Sequence, residues 1–138
     1  MLISSKGRYA LRVMLDLAHN PNGEFIPLKD ITARQNISKK YLEGIMTLLS
    51  KNDFVEAMHG KGGGYRLSRD ASEYKVGDIL RLTEGTLAPV MCLEENAKPC
   101  ERAGECITLP LWTGLNKVIC DYLDNISIED ILQEKPLW

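Results

Sequence analysis

The sequence of 138 residues predicts a mainly α-helical fold with one small β-hairpin. Apolar residues recur at helical spacing in several segments, and two short β-like segments flank a glycine-rich turn. The composition, 44% hydrophobic and 26% charged, is that of an ordinary globular domain and excludes intrinsic disorder. No apolar run reaches about 18 residues, so we expect no membrane-spanning helix. The N-terminus has no apolar signal region, and we therefore expect a cytoplasmic protein.

The front of the chain predicts three helices. Residues 6–18 carry apolar side chains on two neighbouring stripes, and Asn-Pro-Asn-Gly at 20–23 predicts the end of this helix. A second short helix is predicted over 28–35. Ser38 is a good N-cap for a third helix that runs to about residue 50. Its predicted inward stripe is Tyr41, Leu42, Ile45, Leu48 and Leu49.

A β-hairpin is expected directly after the third helix. Residues 54–58 and 65–68 read as strands, and four of the six residues between them are glycine. Glycine permits turns that other residues rarely adopt. Two helices joined by about three residues and followed by such a hairpin form a winged helix-turn-helix. A flexible surface hairpin without function is the alternative.

The rear of the chain predicts a long C-terminal dimerisation helix. Residues 76–83 form a short connecting helix, and 109–123 are the cleanest amphipathic segment. Ser127 and Asp130 predict a capping box for a last short helix. The spacing of a coiled-coil seam is shown by Trp112, Leu115, Ile119, Tyr122 and Ile126. We expect four parts: a winged helix-turn-helix domain (1–70), a connecting helix (71–85), a cysteine loop (86–108), and the dimerisation and last helices (109–138).

Charge is divided unevenly along the chain. Residues 1–66 have a net charge of +4 and residues 67–138 a net charge of −6, which suggests nucleic acid as the partner of the front half. The first residues of a helix in the major groove reach base edges, and Lys39 and Lys40 there can neutralise phosphates. Glu43 is repelled by phosphates unless it accepts a hydrogen bond from a cytosine amino group. An ion pair between Glu43 and Lys39 or Lys40 is the open alternative.

Three cysteines lie in one irregular segment. Cys92, Cys100 and Cys106 have the spacing C-x7-C-x5-C, and thiolates are the ligands that iron–sulfur clusters and zinc prefer. The segment is acidic, which we expect to raise the pKa of its thiols and to disfavour a nucleophilic enzyme. Cys120 is expected to be a small buried hydrophobe. A structural zinc ion, a reversible disulfide switch and a thiol- or zinc-dependent enzyme are the alternatives.

Four motifs together resemble the bacterial IscR/NsrR/CymR family of dimeric winged-helix transcription regulators. They are Ser5-Lys6-Gly7-Arg8-Tyr9-Ala10, Ile37-Ser38-x-x-Tyr41-Leu42-Glu43, Gly60-x-Gly62-Gly63-Gly64-Tyr65 and the three-cysteine segment. The branch of this family that regulates cysteine metabolism lacks these cysteines. The chain therefore resembles the cluster-sensing branch, whose cysteines hold an iron–sulfur cluster.

The resemblance implies a non-enzymatic homodimer, joined by the helix after the third cysteine, that binds a roughly palindromic site on double-stranded DNA. It also implies that the cluster, 2Fe-2S ahead of 4Fe-4S, controls this binding. The sequence departs from the family at the first cysteine gap, which is seven residues instead of five. Leu109 and Arg8 stand where relatives carry a fourth ligand, and His59 replaces an arginine. The expected DNA contacts are Lys6, Ser38, Lys39, Lys40, Tyr41, Glu43, His59, Lys61 and Gly62.

Overall fold

A computed structural model describes residues 2–20 and 23–137. This part of the chain contains six α-helices and a two-stranded antiparallel sheet, which confirms the mainly α-helical fold with one small hairpin. None of its helices is long and apolar enough to cross a membrane. Pro21 and Asn22 of the predicted turn lie outside the described residues. The elements are α1 (Ser5–Ala18), α2 (Leu28–Gln35), α3 (Lys39–Lys51), β1 (Val55–Met58), β2 (Gly64–Leu67), α4 (Val76–Glu84), α5 (Leu109–Asp124) and α6 (Ile128–Leu132).

Helices α1, α2 and α3 pack around one apolar core, as the helix-turn-helix prediction requires. The turn between α2 and α3 passes through Asn36, whose φ of 53° is left-handed. Ser38 is the N-cap of α3, and its Oγ accepts a hydrogen bond from the Tyr41 N–H at 3.3 Å. The cap therefore fixes where α3 begins. The side chains that these helices bury together include Val13, Met14, Ile31, Leu42, Ile45 and Leu49.

The predicted inward stripe of α3 is wrong at Tyr41. This side chain is 39% exposed, and Met46 is buried in the core instead. Tyr41 lies in the first turn of α3, at the margin of the core. There its ring packs edge-on against Tyr9, with the ring centroids 5.6 Å apart. One edge of Tyr41 is therefore covered while the rest of the side chain remains accessible.

The hairpin is held against the body of the protein by a third segment of backbone. Val55 pairs with Leu67 and Met58 with Gly64 across the two strands. On the other side of β2, Ile26 and Tyr65 exchange two backbone hydrogen bonds of 2.8 and 2.9 Å. The hairpin is thus anchored along the outer edge of β2, close to its turn, and the predicted wing is confirmed.

The second half of the chain packs on the same core as the first. Tyr74 is buried, and its hydroxyl donates to the Phe54 carbonyl at 2.7 Å. The same hydroxyl accepts from the backbone N–H groups of Ser68 and Arg69. Ile79 of α4 and Ile128 of α6 also belong to this core. The core is therefore continuous across residue 70, and the division into four parts stays a prediction.

Helix α5 has two apolar faces, and the predicted seam mixes them. Ile119 and Ile126 pack within the chain against Val76, Leu80 and Leu87. Ile126 also lies beyond the end of α5, and the predicted seam is wrong at both positions. The outward face carries a different set of apolar side chains, which we call the exposed stripe: Leu111, Leu115, Val118 and Tyr122, which are 60%, 40%, 65% and 44% exposed.

The short helix α6 begins at the predicted capping box. The Ser127 Oγ accepts from the Asp130 N–H at 3.0 Å, and the Asp130 carboxylate accepts from the Ser127 N–H at 2.9 Å. Backbone hydrogen bonds from Val76 to Ile126 and from Ile128 to Tyr74 join this segment to the start of α4. Both the end of α5 and the start of α6 are therefore fixed relative to α4.

A nearly buried carboxylate links α1 to α2. Asp16 is 6% exposed and accepts two hydrogen bonds from the Arg34 guanidinium, at 2.7 and 3.0 Å, and one from the Gln35 amide at 2.7 Å. Burial raises the pKa of Asp16. The hydrogen bonds from Arg34 and Gln35, together with the charge of Arg34, lower the pKa by more than burial raises it, so that the net shift is downward. The ionised form is therefore the stabilising one.

We expect the Asp16→Asn variant to lose about 1 kcal/mol of unfolding free energy at pH 7, because the amide removes the charge-assisted hydrogen bonds. In the native chain this contribution is complete above the unfolded pKa of about 3.9 and disappears as the pH falls through the lower folded pKa. Urea unfolding at several pH values measures it. As a control, Glu56→Gln alters only the exposed pair with Arg66 and should change the stability little. Equal effects of the two variants would contradict this assignment.

Candidate nucleic-acid interface and cysteine loop

The start of α3 presents the predicted base-reading residues on the surface. Ser38, Lys39, Lys40 and Glu43 are all exposed. Among the described residues, Glu43 has no ion pair within 4.0 Å with either lysine. The alternative in which Glu43 pairs with Lys39 or Lys40 therefore has no support in the free protein. The carboxylate is available to accept from a cytosine amino group, and its role as a base reader stays a prediction.

The N-terminus of α1 lies beside the start of α3. Lys6 and Lys40 border an open recess of about 500 Å³, whose remaining lining is mostly apolar and comes from Ser38, Tyr41, Gly44 and Ile45. This arrangement places Lys6 on the same surface as the recognition helix, although the two are more than 30 residues apart in sequence. A charge predicted to bind phosphate and the predicted base-reading residues thus share one face.

The wing presents its predicted contact residues at its tip. His59, Lys61 and Gly62 are exposed. Gly60 and Gly62 have φ values of 93° and 78°, and the Gly63 N–H donates to the Gly60 carbonyl at 3.1 Å. The tight turn therefore depends on glycine at these positions. The turn lies directly beside the Ile26–Tyr65 pair that anchors β2.

The cysteine loop, residues 86–108, carries its three thiols near the surface. Cys92 and Cys100 are exposed and Cys106 is half-buried. Apart from one short turn at 91–93, residues 91–106 form no helix or strand, and their hydrogen bonds reach only close neighbours in sequence. Within the described residues, no three His, Cys, Asp or Glu side chains lie close enough together to hold a metal ion. The donor types suit an iron–sulfur centre or zinc, but the sulfurs must be gathered by a rearrangement of the loop.

Cys106 differs from the expectation that acidic neighbours raise the pKa of the loop thiols. Its Sγ lies 3.4 Å from the Thr108 hydroxyl, and this hydrogen bond and that of the Thr108 N–H lower the pKa of Cys106. The N–H of Leu109 and the charge of Arg102 act in the same direction. The Thr108 hydroxyl and the backbone N–H groups at the beginning of α5 supply these hydrogen bonds, and together they outweigh the effect expected from the acidic composition.

Cys120 is half-buried, so the prediction of a buried hydrophobe is wrong. It lines a cleft of about 360 Å³ between α4, α5 and residues 93–97 of the cysteine loop. The Arg81 guanidinium lies beside it and is held by two hydrogen bonds to Asp124, at 2.7 and 2.9 Å. Because α5 carries core side chains on one flank and this cleft on another, its apolar pattern did not reveal which side Cys120 occupies.

Sequence reasoning also missed several residues on the surface of α5 and at the end of α4. Leu111 and Val118 on the exposed stripe lie outside the predicted seam. Glu84, at the end of α4, contacts the N-terminus of α1 across 80 positions of sequence. No periodicity or motif signals a contact of that kind. The exposed stripe could have been found from the spacing of positions 111, 115, 118 and 122, which is also helical.

The comparisons with known proteins agree with this geometry. Residues 3–134 match the family model Rrf2, described as an iron-dependent transcriptional regulator. A transcriptional regulator named IscR from Pectobacterium atrosepticum is 38% identical over 98% of this chain and 81% of its own length. The structure of CymR, the global cysteine regulator of B. subtilis, is 32% identical, with a TM-score of 0.78 over 99% of both chains. The structure of T. potens IscR is 33% identical, with a TM-score of 0.76 over 97% of this chain and 88% of that one.

Fold, surface and relatives together define a winged-helix transcriptional regulator, a DNA-binding protein and not an enzyme. The chain belongs to the Rrf2 family, in agreement with the resemblance found in the sequence.

We expect the Glu43→Ala variant to lose discrimination at one base-pair position of its binding site by about tenfold, the effect of one lost base contact. Its affinity for random duplexes should stay equal or rise, because a negative charge near phosphates is removed. Selection of duplexes from a random pool, followed by binding titrations, measures both. Lys40→Ala is the control, and it should weaken binding to all sequences alike. An unchanged base preference in Glu43→Ala would contradict the role of Glu43.

Proposed function

We propose that this protein is a homodimeric regulator whose affinity for its operator is controlled by an iron–sulfur centre on the cysteine loop. Cys92, Cys100 and Cys106 would hold the centre. The observation that carries the proposal is the position of the loop, which joins the end of α4 to the start of α5 and whose hydrogen bonds between residues 91 and 106 reach only close neighbours in sequence. Gathering three sulfurs would therefore order a segment that lies between the helices of the DNA-binding half and the exposed stripe.

The homodimer is supported by the exposed stripe. Its four apolar side chains follow one line on α5, with steps of four, three and four residues. Ile107, which is 93% exposed, lies four residues before Leu111 at the end of the cysteine loop and adds to the exposed apolar surface near α5. A line of this kind fits a second copy of the same helix, and a two-fold dimer would read a roughly palindromic operator. The dimer would also place both cysteine loops next to the interface.

The described residues can perform three tasks in this function. The lysines on α1, α3 and the wing neutralise phosphates, and the start of α3 reads base edges. The exposed stripe sets the distance between the two recognition helices. An iron–sulfur centre, when bound, would supply the positive charge that keeps the loop thiols deprotonated. A coupling of about 1–3 kcal/mol between loop and DNA would change operator affinity by about 5–150-fold.

A thiol–disulfide switch is a second candidate function. Cys92 and Cys100 are exposed, and Cys120 faces the segment that follows Cys92. A structural relative, CymR, is a global cysteine regulator by its name. In this function, oxidation of two thiols would constrain the loop without any metal.

Anaerobic purification followed by metal analysis and visible spectroscopy tests the proposal. We expect iron and acid-labile sulfide, with absorption that is lost when Cys92, Cys100 and Cys106 are replaced by serine. The Cys120→Ser variant is the matched control and should keep its colour. Zinc in place of iron would identify a structural metal, and a colourless metal-free protein that forms a disulfide would support the switch. Either result would contradict the iron–sulfur proposal.

A further inference from the structure

The end of α4 contacts the N-terminus of α1 through a single carboxylate. The Oε1 atom of Glu84 accepts hydrogen bonds from the Ser4 N–H at 3.0 Å and from the Ser4 hydroxyl at 2.7 Å. The Ser4 Oγ in turn accepts from the Gly7 N–H at 3.3 Å. Glu84 therefore ends a short chain of hydrogen bonds that satisfies the N–H of the cap residue Ser4 and, through the Ser4 Oγ, the N–H of Gly7. Its negative charge lies at the positive end of α1.

The packing around Gly7 leaves no room for a side chain while Glu84 is in this position. A Cβ atom at Gly7 would overlap Glu84 Oε1 and would approach Leu80 Cδ2 and Thr83 Oγ1 to 3.2 Å. Gly7 is buried, and Ser4 and Glu84 are both half-buried. Within the described residues, Glu84 has no ion pair with a basic side chain. Its hydrogen-bonding partners are therefore at the start of α1.

This contact lies between the two functional parts of the protein. On one side, Lys6 is two residues after Ser4 and borders the recess at the start of α3. On the other side, Gly85 follows Glu84, ends α4, and begins the segment that leads into the cysteine loop. A displacement at the beginning of the loop would move the Glu84 carboxylate away from Ser4. The N-cap residue Ser4 would then lose the carboxylate that holds it, and the first turn of α1, with Lys6, would be held less firmly.

We propose that Glu84 is a positioning residue for DNA binding, which holds Lys6 against the DNA backbone and transmits the state of the cysteine loop to it. The transmission part rests on the proposed function. Glu84 itself touches no DNA in this arrangement. It acts through the N-terminus of α1, since Glu84 holds the N-cap residue Ser4 and a firmly held cap limits fraying of the first turn.

The positioning role is tested by a double-mutant cycle between Glu84 and Lys6, with binding measured on a duplex selected from a random pool by the native protein. We expect Glu84→Ala and Lys6→Ala each to weaken binding by about fivefold and to reduce the salt dependence by about one phosphate contact per subunit. The double variant should bind no more weakly than either single one. Glu84→Gln retains an acceptor oxygen and should recover most of the affinity.

Two further measurements separate positioning from simple destabilisation. Asp78→Ala removes a charge from the exposed side of the same helix and should leave the salt dependence unchanged. Hydrogen exchange should show faster exchange at the amides of the first turn of α1 in Glu84→Ala, with the core amides unchanged. Additive losses in the double variant, or an unchanged salt dependence in Glu84→Ala, would overturn the positioning role.

The transmission is tested by comparing each protein with and without its loop-bound centre. In the native protein, the affinity should differ between the two states, and in Glu84→Ala the difference should fall below twofold. A difference that persists in Glu84→Ala would overturn the transmission but not the proposed function. If the DNA affinity of the native protein is the same in both states of the loop, the proposed function and the transmission are both contradicted. The double-mutant cycle with Lys6 would still decide the positioning role.

Discussion

Replacing Val118 with glutamate is expected to convert the protein into a folded monomer and to weaken operator binding by about a hundredfold. Val118 is 65% exposed in the middle of the exposed stripe, so a charge there costs little within one chain. In a dimer, the charge would be buried against the partner helix. Loss of the second subunit removes the gain in effective concentration that two linked half-sites provide, which is at least about a hundredfold.

Light scattering gives the mass of the Val118→Glu variant, and circular dichroism shows whether its helices are retained. The control is Thr113→Glu, which adds the same charge on an exposed position of α5 away from the stripe. This control should remain dimeric and bind DNA as the native protein does. If Val118→Glu stays dimeric, or if both variants dissociate, the exposed stripe is not the dimer interface.

Replacing Gly64 with alanine is expected to lower the free energy of unfolding by about 3 kcal/mol. Gly64 has a φ of 153°, and a Cβ there would overlap the Ile26 carbonyl and approach the Pro27 nitrogen to 2.7 Å. Both neighbours are backbone atoms that cannot rotate away. The substitution should therefore break the paired hydrogen bonds between Ile26 and Tyr65 that anchor the wing.

Urea unfolding measures this loss, and Gly62→Ala is its matched control. Gly62 also has a positive φ, but nothing lies within 4 Å of the Cβ it would gain. That variant should lose only about 1 kcal/mol, the conformational cost alone. Binding of Gly64→Ala to DNA should weaken more than its stability loss explains, because the wing is displaced. Equal stabilities of the two variants would show that the wing is not anchored in this way.

The elements of the fold were predictable because their signals are local. The Ser38 cap, the turn before it, the glycine-rich hairpin and the capping box at Ser127 each depend on residues within about six positions of one another. Hydrophobic spacing gave the helices within one or two residues of their observed bounds. Hydrophobic spacing was misleading for α5 because this helix has two apolar faces. Apolar residues three or four positions apart then need not lie on the same face, so the predicted seam combined residues from both.

The functional contacts between distant segments were not predictable in this way. Packing between segments far apart in sequence produces three features: the hydrogen bonds from Ser4 to Glu84, the position of Lys6 beside α3, and the cleft around Cys120. The pKa of Cys106 falls because of the geometry at the start of α5, which composition does not record. The candidate metal-binding side chains of the cysteine loop were predictable from the sequence. Their arrangement was not, because it depends on the conformation of a segment whose hydrogen bonds are all local.

The most direct test of the central claim is an operator titration on one anaerobic sample, before and after its loop-bound iron centre is removed by chelation and oxidation. We expect the affinity for the operator to change by about 5–150-fold. The same treatment should leave the variant with all three loop cysteines replaced by serine unaffected. An iron-containing native protein that binds its operator with the same affinity before and after removal would contradict the claim that these thiols control DNA binding.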